Sequence, residues 1–235
     1  MSYFESRAPV DFADFNKIEN ILNLCNQLGL KNIIFEPKNY IEEIPFEIRE
    51  KIFNESKINV YYRINLRVKD VEDFKNKIKN HNDFKEIISV ESSDKEVQLQ
   101  SARDSRVNIV SFSDPEIIKT LTPGVISLTK QNNSFIEFSM APLMVKNKAI
   151  QSKNFRSLYR FALLAIKMKA NCIISGNFID LYDYRHPRCL ISICNSLLGI
   201  PINLAKKAFK ENPQTLIERT RTSNGKSFED GVNLI

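Results

Sequence analysis

From position 60 to 68 the chain alternates without a break: Val60, Tyr62, Ile64, Leu66 and Val68 fall on one side, Tyr61, Arg63, Asn65 and Arg67 on the other. Side chains repeat with a period of two only in extended backbone, so this stretch is a strand with one apolar and one polar face. Segments of the other period flank it. Upstream, Asp14 or Asn16 caps a helix whose stripe of Ile18, Ile21, Leu22, Cys25 and Leu28 ends at Gly29, and a strand over 32–36 and a helix over 41–55 follow. Downstream the unit recurs: helix 71–80, strand 87–91, helix 94–103, strand 107–112, a helical stretch from about 114, strand 135–139, helix 153–169, strand 172–175, then two or three helices over 187–221. Short connections between like units favour right-handed crossovers and a parallel sheet. The expected fold is α/β, a TIM-barrel-like (β/α) barrel of about seven parallel strands with extra C-terminal helices. An open doubly wound sheet is the runner-up, but no glycine-rich phosphate fingerprint follows a strand and the chain has only 6 glycines.

At 235 residues the chain suits one barrel domain, expected over 1–221, with a loosely ordered tail over 222–235. A hydrophobic fraction of 43% and a charged fraction of 26% are those of a globular protein. No apolar run approaches the roughly 18 residues of a membrane span. The opening MSYFESRAPVDF lacks the basic, apolar and small-residue segments of a secretory signal, which makes the cytoplasm the expected location. Cys25, Cys172, Cys189 and Cys194 lie singly in apolar or helical stretches, as reduced, buried thiols do.

Enzymatic barrels carry carboxylates and histidines at the C-terminal ends of their strands. With only 2 histidines, His81 and His186, a site of several histidine ligands cannot be assembled. A carboxylate-only magnesium site remains open, with Glu36, Glu91, Glu137 and Asp180 on separate elements. For Glu137, inside the apolar run FIEF, the favoured reading is structural: a carboxylate paired to an inward arginine, Arg63 or Arg67.

The cations carry more information. Residues 1–100 hold 15 Lys and Arg against 18 Asp and Glu, whereas residues 101–235 hold 19 against 10. A positive face of this kind raises the local concentration of a phosphate backbone. In the helix over 153–169, Phe155, Leu158, Ala162, Ala165 and Ile166 share a face, and Lys153, Arg156, Arg160 and Lys167 lie opposite. No acidic residue occurs between Asn147 and Asn177 to neutralise them locally. Arg185 and Arg188 flank a helix start at Pro187, suited to a phosphate unless Asp180 and Asp183 pair with them. Lys206, Lys207 and Lys210 extend the basic surface, and Arg103 and Arg106 add to it, with Asp104 between them. These eleven residues are the candidate RNA-binding set.

The pieces also resemble a family. Ile173, Ile174 and Ser175 end a strand, and Arg185, His186 and Pro187, Leu198, Gly199 and Ile200, Ala205, and Asn212 and Pro213 follow in order. Ile21, Leu22, Cys25, Leu28 and Gly29, the strand to Glu36, the stretch 107–112 and FIEFSMAPL over 135–143 fit the same pattern. In these features the chain resembles ribonuclease P protein component 3, a barrel related to the polymerase-and-histidinol-phosphatase fold. It departs from the family at Gly176, Asn177 and Phe178. Phosphoesterase relatives carry His-x-His near the N-terminus, and Tyr3 to Arg7 has none.

The resemblance implies a non-catalytic protein subunit of the endonuclease that removes the 5′ leader of precursor tRNA. Its expected partners are ribonuclease P RNA, precursor tRNA, ribonuclease P protein component 2 and other ribonuclease P proteins. Mg2+ is expected on the RNA, with no cofactor in the chain itself. The chain length suits an archaeal member; a eukaryotic source would make the location nuclear or nucleolar. A metal-dependent phosphoesterase and a protein-interaction scaffold are the alternatives.

Overall fold

The computed structural model describes residues 2–39, 43–81 and 86–229. Seven strands lie in the order of the chain and all pair in parallel: β1 Phe4–Val10, β2 Asn32–Pro37, β3 Asn59–Arg67, β4 Ile87–Glu91, β5 Ile109–Phe112, β6 Phe135–Ser139 and β7 Cys172–Ser175. Helices connect them: α1 Phe15–Gln27, α2 Phe46–Glu55, α3 Val71–Ile78, α4 Lys95–Arg103, α5 Pro123–Gln131 and α6 Lys148–Lys167. Three more follow β7: α7 Pro187–Ser196, α8 Ile202–Phe209 and α9 Glu211–Glu229.

The result is a nearly closed barrel, as the alternating pattern predicts. Side chains of β1 reach those of β2, β4, β5 and β6, which a flat sheet would hold far apart. Odd and even positions separate the two layers. Ile33 and Phe35, Ile64 and Leu66, Ile88 and Val90, and Ile136 and Phe138 pack outward against the helices. Phe4, Ile34, Ile87, Ile109, Phe135 and Ile173 point inward near the N-terminal ends of the strands, where Leu216 and Ile217 of α9 plug the barrel.

Several boundaries differ from the sequence expectation for local reasons. Asp14, not Asn16, caps α1 by accepting from the Lys17 N–H, and α6 starts five residues early because Asn147 accepts from the Ala149 and Ile150 N–H groups. The helix expected over 41–55 is α2, which begins after Pro45, and residues 41 and 42 lie outside the described residues. Residue 230 onward, the end of the expected loose tail, is also outside them, while α9 carries the backbone to Glu229. Cys25, Cys172 and Cys194 are buried free thiols, but Cys189 is exposed on α7.

The strand missing from the sequence reading is β1. Its register against β2 slips between Glu5 and Ala8: Glu5 pairs Ile33 and Ala8 pairs Phe35, so three steps on one strand meet two on the other. This bulge reverses the face on which the following side chains project. Phe4 and Arg7 therefore both enter the barrel, and Glu5 is left in the seam between β1 and β7. The seam has few direct backbone bonds, and the Glu5 carboxylate spans it by accepting from the N–H groups of Arg7 at 3.1 Å and Gly176 at 2.8 Å.

That contact leaves no room for a side chain at position 176. A Cβ at Gly176 would overlap both the Glu5 carboxylate and the Phe178 ring. Phe178 is itself buried, edge-on to Tyr184 at 5.4 Å. We expect Gly176→Ala to destabilise the fold by about 1–3 kcal/mol, the usual range for overpacking. Urea denaturation would check this; a midpoint equal to that of the parent would show that the seam does not need the bare backbone.

Candidate nucleic-acid interface

The barrel mouth is where an enzyme of this shape would place its chemistry. Small inward side chains, Ser89, Ser111, Ser113, Ser139 and Ser175, leave room there for two long ones, Arg7 and Arg63. Arg63 grips Glu137 with both terminal nitrogens, at 2.8 and 2.9 Å, which is the pairing the sequence favoured for this carboxylate. Arg7 donates to Glu36 at 2.8 Å and to Glu91 at 3.3 Å, and lies 3.6 Å from Glu137. The second Glu36 oxygen sits between the Arg7 and Arg63 Nε atoms at 2.8 and 3.1 Å, close in charge but poorly angled for hydrogen bonds. Arg67, 62% exposed, stands over Glu36 and Glu91 at 3.8 and 3.6 Å. Asn65 and Ser113 complete the shell of Glu91, and Ser111 donates to Glu137 at 2.8 Å.

Three guanidinium groups thus meet three carboxylates. Glu36, Glu91 and Glu137, isolated along the sequence, converge in space, whereas Asp180 caps a turn by accepting from the Tyr182 N–H. Burial alone would push the Glu137 carboxyl up, but Arg63 and Arg7 overcome it and hold the group down to about 2. Burial is likewise outweighed at Glu91 by Arg7, Ser113 and Asn65, and that carboxyl is lowered. Each of the three carboxylates is thus matched by arginine charge. No cluster of His, Cys, Asp or Glu suited to a metal occurs among the described residues.

The cations expected to meet RNA lie on the outer helices. Lys153, Arg156, Arg160 and Lys167 are exposed along α6, opposite the buried Leu158, Ala162 and Ala165. Lys153 has a partner that sequence distance concealed, Glu116 at 3.4 Å, and Arg160 lies over the Phe161 ring at 5.5 Å. Arg156, Arg160 and Lys167 form no ion pair among the described residues. Lys206 and Lys207 are exposed on α8, which shares a groove with α6, while the Lys210 ammonium sits 4.0 Å over the Tyr3 ring.

Other members of the set stand apart. Arg185 donates to the Tyr182 and Tyr184 carbonyls rather than to Asp180 or Asp183. His186 caps α7 by accepting from the Arg188 N–H, so that donor is already satisfied, and Arg188 is exposed. Arg106 is tied to Asp104 at 2.7 Å, and it and Arg103 border a cleft between α3 and α4, separated from α6 by α5. The structure therefore keeps the α6 cations along the exposed side of that helix, places Lys207 at the groove between α6 and α8, and leaves Arg103 and Arg106 on another face.

The family profile described as RNase P subunit p30 matches residues 4–224. The chain belongs to the RNase P subunit p30 family. It is a protein subunit of ribonuclease P, the endoribonuclease that processes the 5′ ends of tRNA. No curated protein sequence matches it. Among solved structures, a chain of archaeal ribonuclease P with mature tRNA aligns at TM-score 0.70 and 16% identity, over 99% of this chain and 97% of that one. A. niger ochratoxinase aligns at TM-score 0.58 and 9% identity over 92% and 71% of the two chains. A putative prolidase from Bifidobacterium longum gives 0.55 and 9% over 92% and 69%. At such identities these likenesses speak to the barrel alone.

In this p30 chain the residue that sequence reasoning missed is Arg7. The stretch set against the histidine pair of phosphoesterase relatives is β1, and it presents a guanidinium to the three carboxylates. The run FESRAPV keeps no single period that would have placed this arginine inside, although all seven of its residues are buried.

Two outcomes follow from these charges. Arg63→Met strips Glu137 of its bidentate partner and should cost about 3–5 kcal/mol, with Arg63→Met/Glu137→Leu recovering part of the loss; additive losses in the denaturation cycle would refute the coupling. Burial pushes the Glu5 carboxyl up to about 7 from its ordinary 4.5, so the folded state binds this proton more tightly than the unfolded state. Its contribution is then greatest below pH 4.5 and is lost as pH rises through 7, a change of up to about 3 kcal/mol. Glu5→Gln should flatten the stability profile between those pH values, measured by denaturation at constant ionic strength, and an unchanged slope would assign the titration elsewhere.

Proposed function

We propose that the α6–α8 face grips the RNA of ribonuclease P and so supports the RNA fold that cleaves the 5′ leader from precursor tRNA. The observation that carries this reading is the contrast between two charge systems. Inside the barrel every arginine faces a carboxylate, whereas Arg156, Arg160, Lys167, Lys206 and Lys207 stand exposed on adjacent helices without an ion pair among the described residues. Cations in such a row lower the repulsion between phosphates packed in a folded RNA and reduce its demand for magnesium. In this reading the catalytic Mg2+ ions sit on the RNA, the chain holds no cofactor of its own, and precursor tRNA meets it within the assembled enzyme. Ribonuclease P protein component 2 is the proposed direct protein partner, and the cytoplasm the proposed location, or the nucleus or nucleolus for a eukaryotic source.

The variant Arg156→Glu/Arg160→Glu tests this in an enzyme reconstituted from RNA and protein subunits. Both side chains are exposed, so thermal unfolding should be unchanged. Cleavage of precursor tRNA at low magnesium should fall, and the slope of log affinity for the RNA against log salt should shrink by about 2, one for each lost phosphate contact. Full cleavage at low magnesium with an unaltered salt slope would place the RNA on another face.

A further inference from the structure

Between α6 and α8 the basic face folds inward to a groove of about 170 Å3. Its floor is apolar, built from Ala162 and Ile166 of α6, Cys172 of β7 and Ala208 of α8, with Leu204 as a half-open wall. Its rim is charged: Lys169 stands on one side and Lys207 on the other. A cavity of roughly 150 Å3 lined by aliphatic side chains holds one benzene ring. The groove is therefore sized for a single aromatic ring system, with cations placed where that ring would join a charged chain.

A second, independent observation concerns Lys169. The last turn of α6 closes with the Lys169 N–H on the Ile166 carbonyl at 2.9 Å and the Ala170 N–H on the Ala165 carbonyl at 3.0 Å. This is the helix-ending motif whose left-handed residue is usually glycine, and Lys169 adopts it at φ 59°. A side chain held at that position against its backbone preference points to a use outside the fold.

We propose that the groove receives the base of an unpaired RNA nucleotide, with the adjoining phosphates held between Lys169 and Lys207. The inference rests on the RNA reading of this face and narrows it to looped or single-stranded segments. In a duplex both faces of a base are stacked and its pairing edge is used, so only an unpaired base can enter an apolar slot. Its faces would lie against Ile166 and Leu204. Two amides also line the groove, Asn171 and the buried Asn212; Asn212 commits its Nδ2 to the Cys172 carbonyl at 2.6 Å, which leaves Oδ1 as an acceptor for a base edge. The 147–177 segment contains no carboxylate to compete for the phosphates.

The test uses the full-length chain and two fluorescein-labelled probes, a single-stranded uridine hexamer and a twelve-base-pair RNA duplex, read by anisotropy. Lys169→Gly removes a rim charge and relieves the backbone, so its thermal midpoint should not fall. Leu204→Trp fills the groove without altering charge. Each variant should weaken the hexamer by about fivefold or more, the low end of what one stacked base contributes, and leave duplex affinity within about twofold. An unaltered hexamer affinity in both variants, with the duplex still bound, overturns the groove while leaving the basic face as an RNA surface. Failure of the parent chain to bind either probe overturns both. If Leu204→Trp instead abolishes association with another protein subunit and spares both probes, the groove is a protein contact and the proposal fails.

Discussion

The fold depends on the lattice of guanidinium and carboxylate groups inside the barrel. Arg7 comes from β1, Glu36 from β2, Arg63 from β3, Glu91 from β4 and Glu137 from β6, so a single network reads the relative positions of five strands. A hydrophobic interior tolerates small slips because one aliphatic side chain resembles another. An ionic interior does not: a slip of one residue would send an arginine into the apolar layer beneath the helices and leave its carboxylate unpaired. Arginine suits this role where lysine would not. Its planar fork lets Arg63 engage both Glu137 oxygens and still approach Glu36, and lets Arg7 reach two carboxylates and two serines at once.

The same lattice fills the barrel mouth. In an enzymatic barrel the strand ends supply reacting groups to the loops above. Here those ends supply carboxylates already matched by arginine, closed below by the apolar layer that Leu216 and Ile217 complete. The mouth is a cleft of about 810 Å3 bordered by Arg7, Arg67, Glu91 and Ser113, all members of or neighbours to the network. With the interior neutral, the charge excess of the C-terminal half appears on the helices, where it faces outward and is available to another molecule.

How much of this could be read from the sequence divides along physical lines. β4, β6 and β7 coincide with their expected bounds because each is a short apolar run buried on both faces, and β3 nearly so because its residues alternate. β1 escaped because its bulge breaks that period within seven residues, and with it went Arg7. The pairing of Glu137 with Arg63 was legible, since a carboxylate inside FIEF needs a buried cation and few were on hand. The convergence of Glu36 and Glu91 on the same point was not, because it depends on barrel curvature. On the surface, helical spacing was enough to assign Arg156, Arg160 and Lys167 to one face of α6. It could not reveal that Glu116 reaches Lys153 from another element, or that Asp104 folds back on Arg106.

The two charge systems respond to solvent differently, and this separation makes the chain suited to a ribonucleoprotein. Screening by salt acts strongly on exposed charges and weakly on buried pairs. On the proposed RNA reading, raising the ionic strength would loosen the hold of Arg156, Arg160 and Lys207 on phosphates while Arg7 and Arg63 keep the barrel intact. Arg156, Arg160 and Lys167 repel one another with no ion pair among the described residues, a strain that a bound polyanion would remove. Neutral inside and unbalanced outside, the barrel holds several helices' worth of positive charge at fixed spacing, which a flexible basic tail cannot do. Fixed spacing is what lets a protein favour one arrangement of phosphates over another rather than attracting any RNA equally.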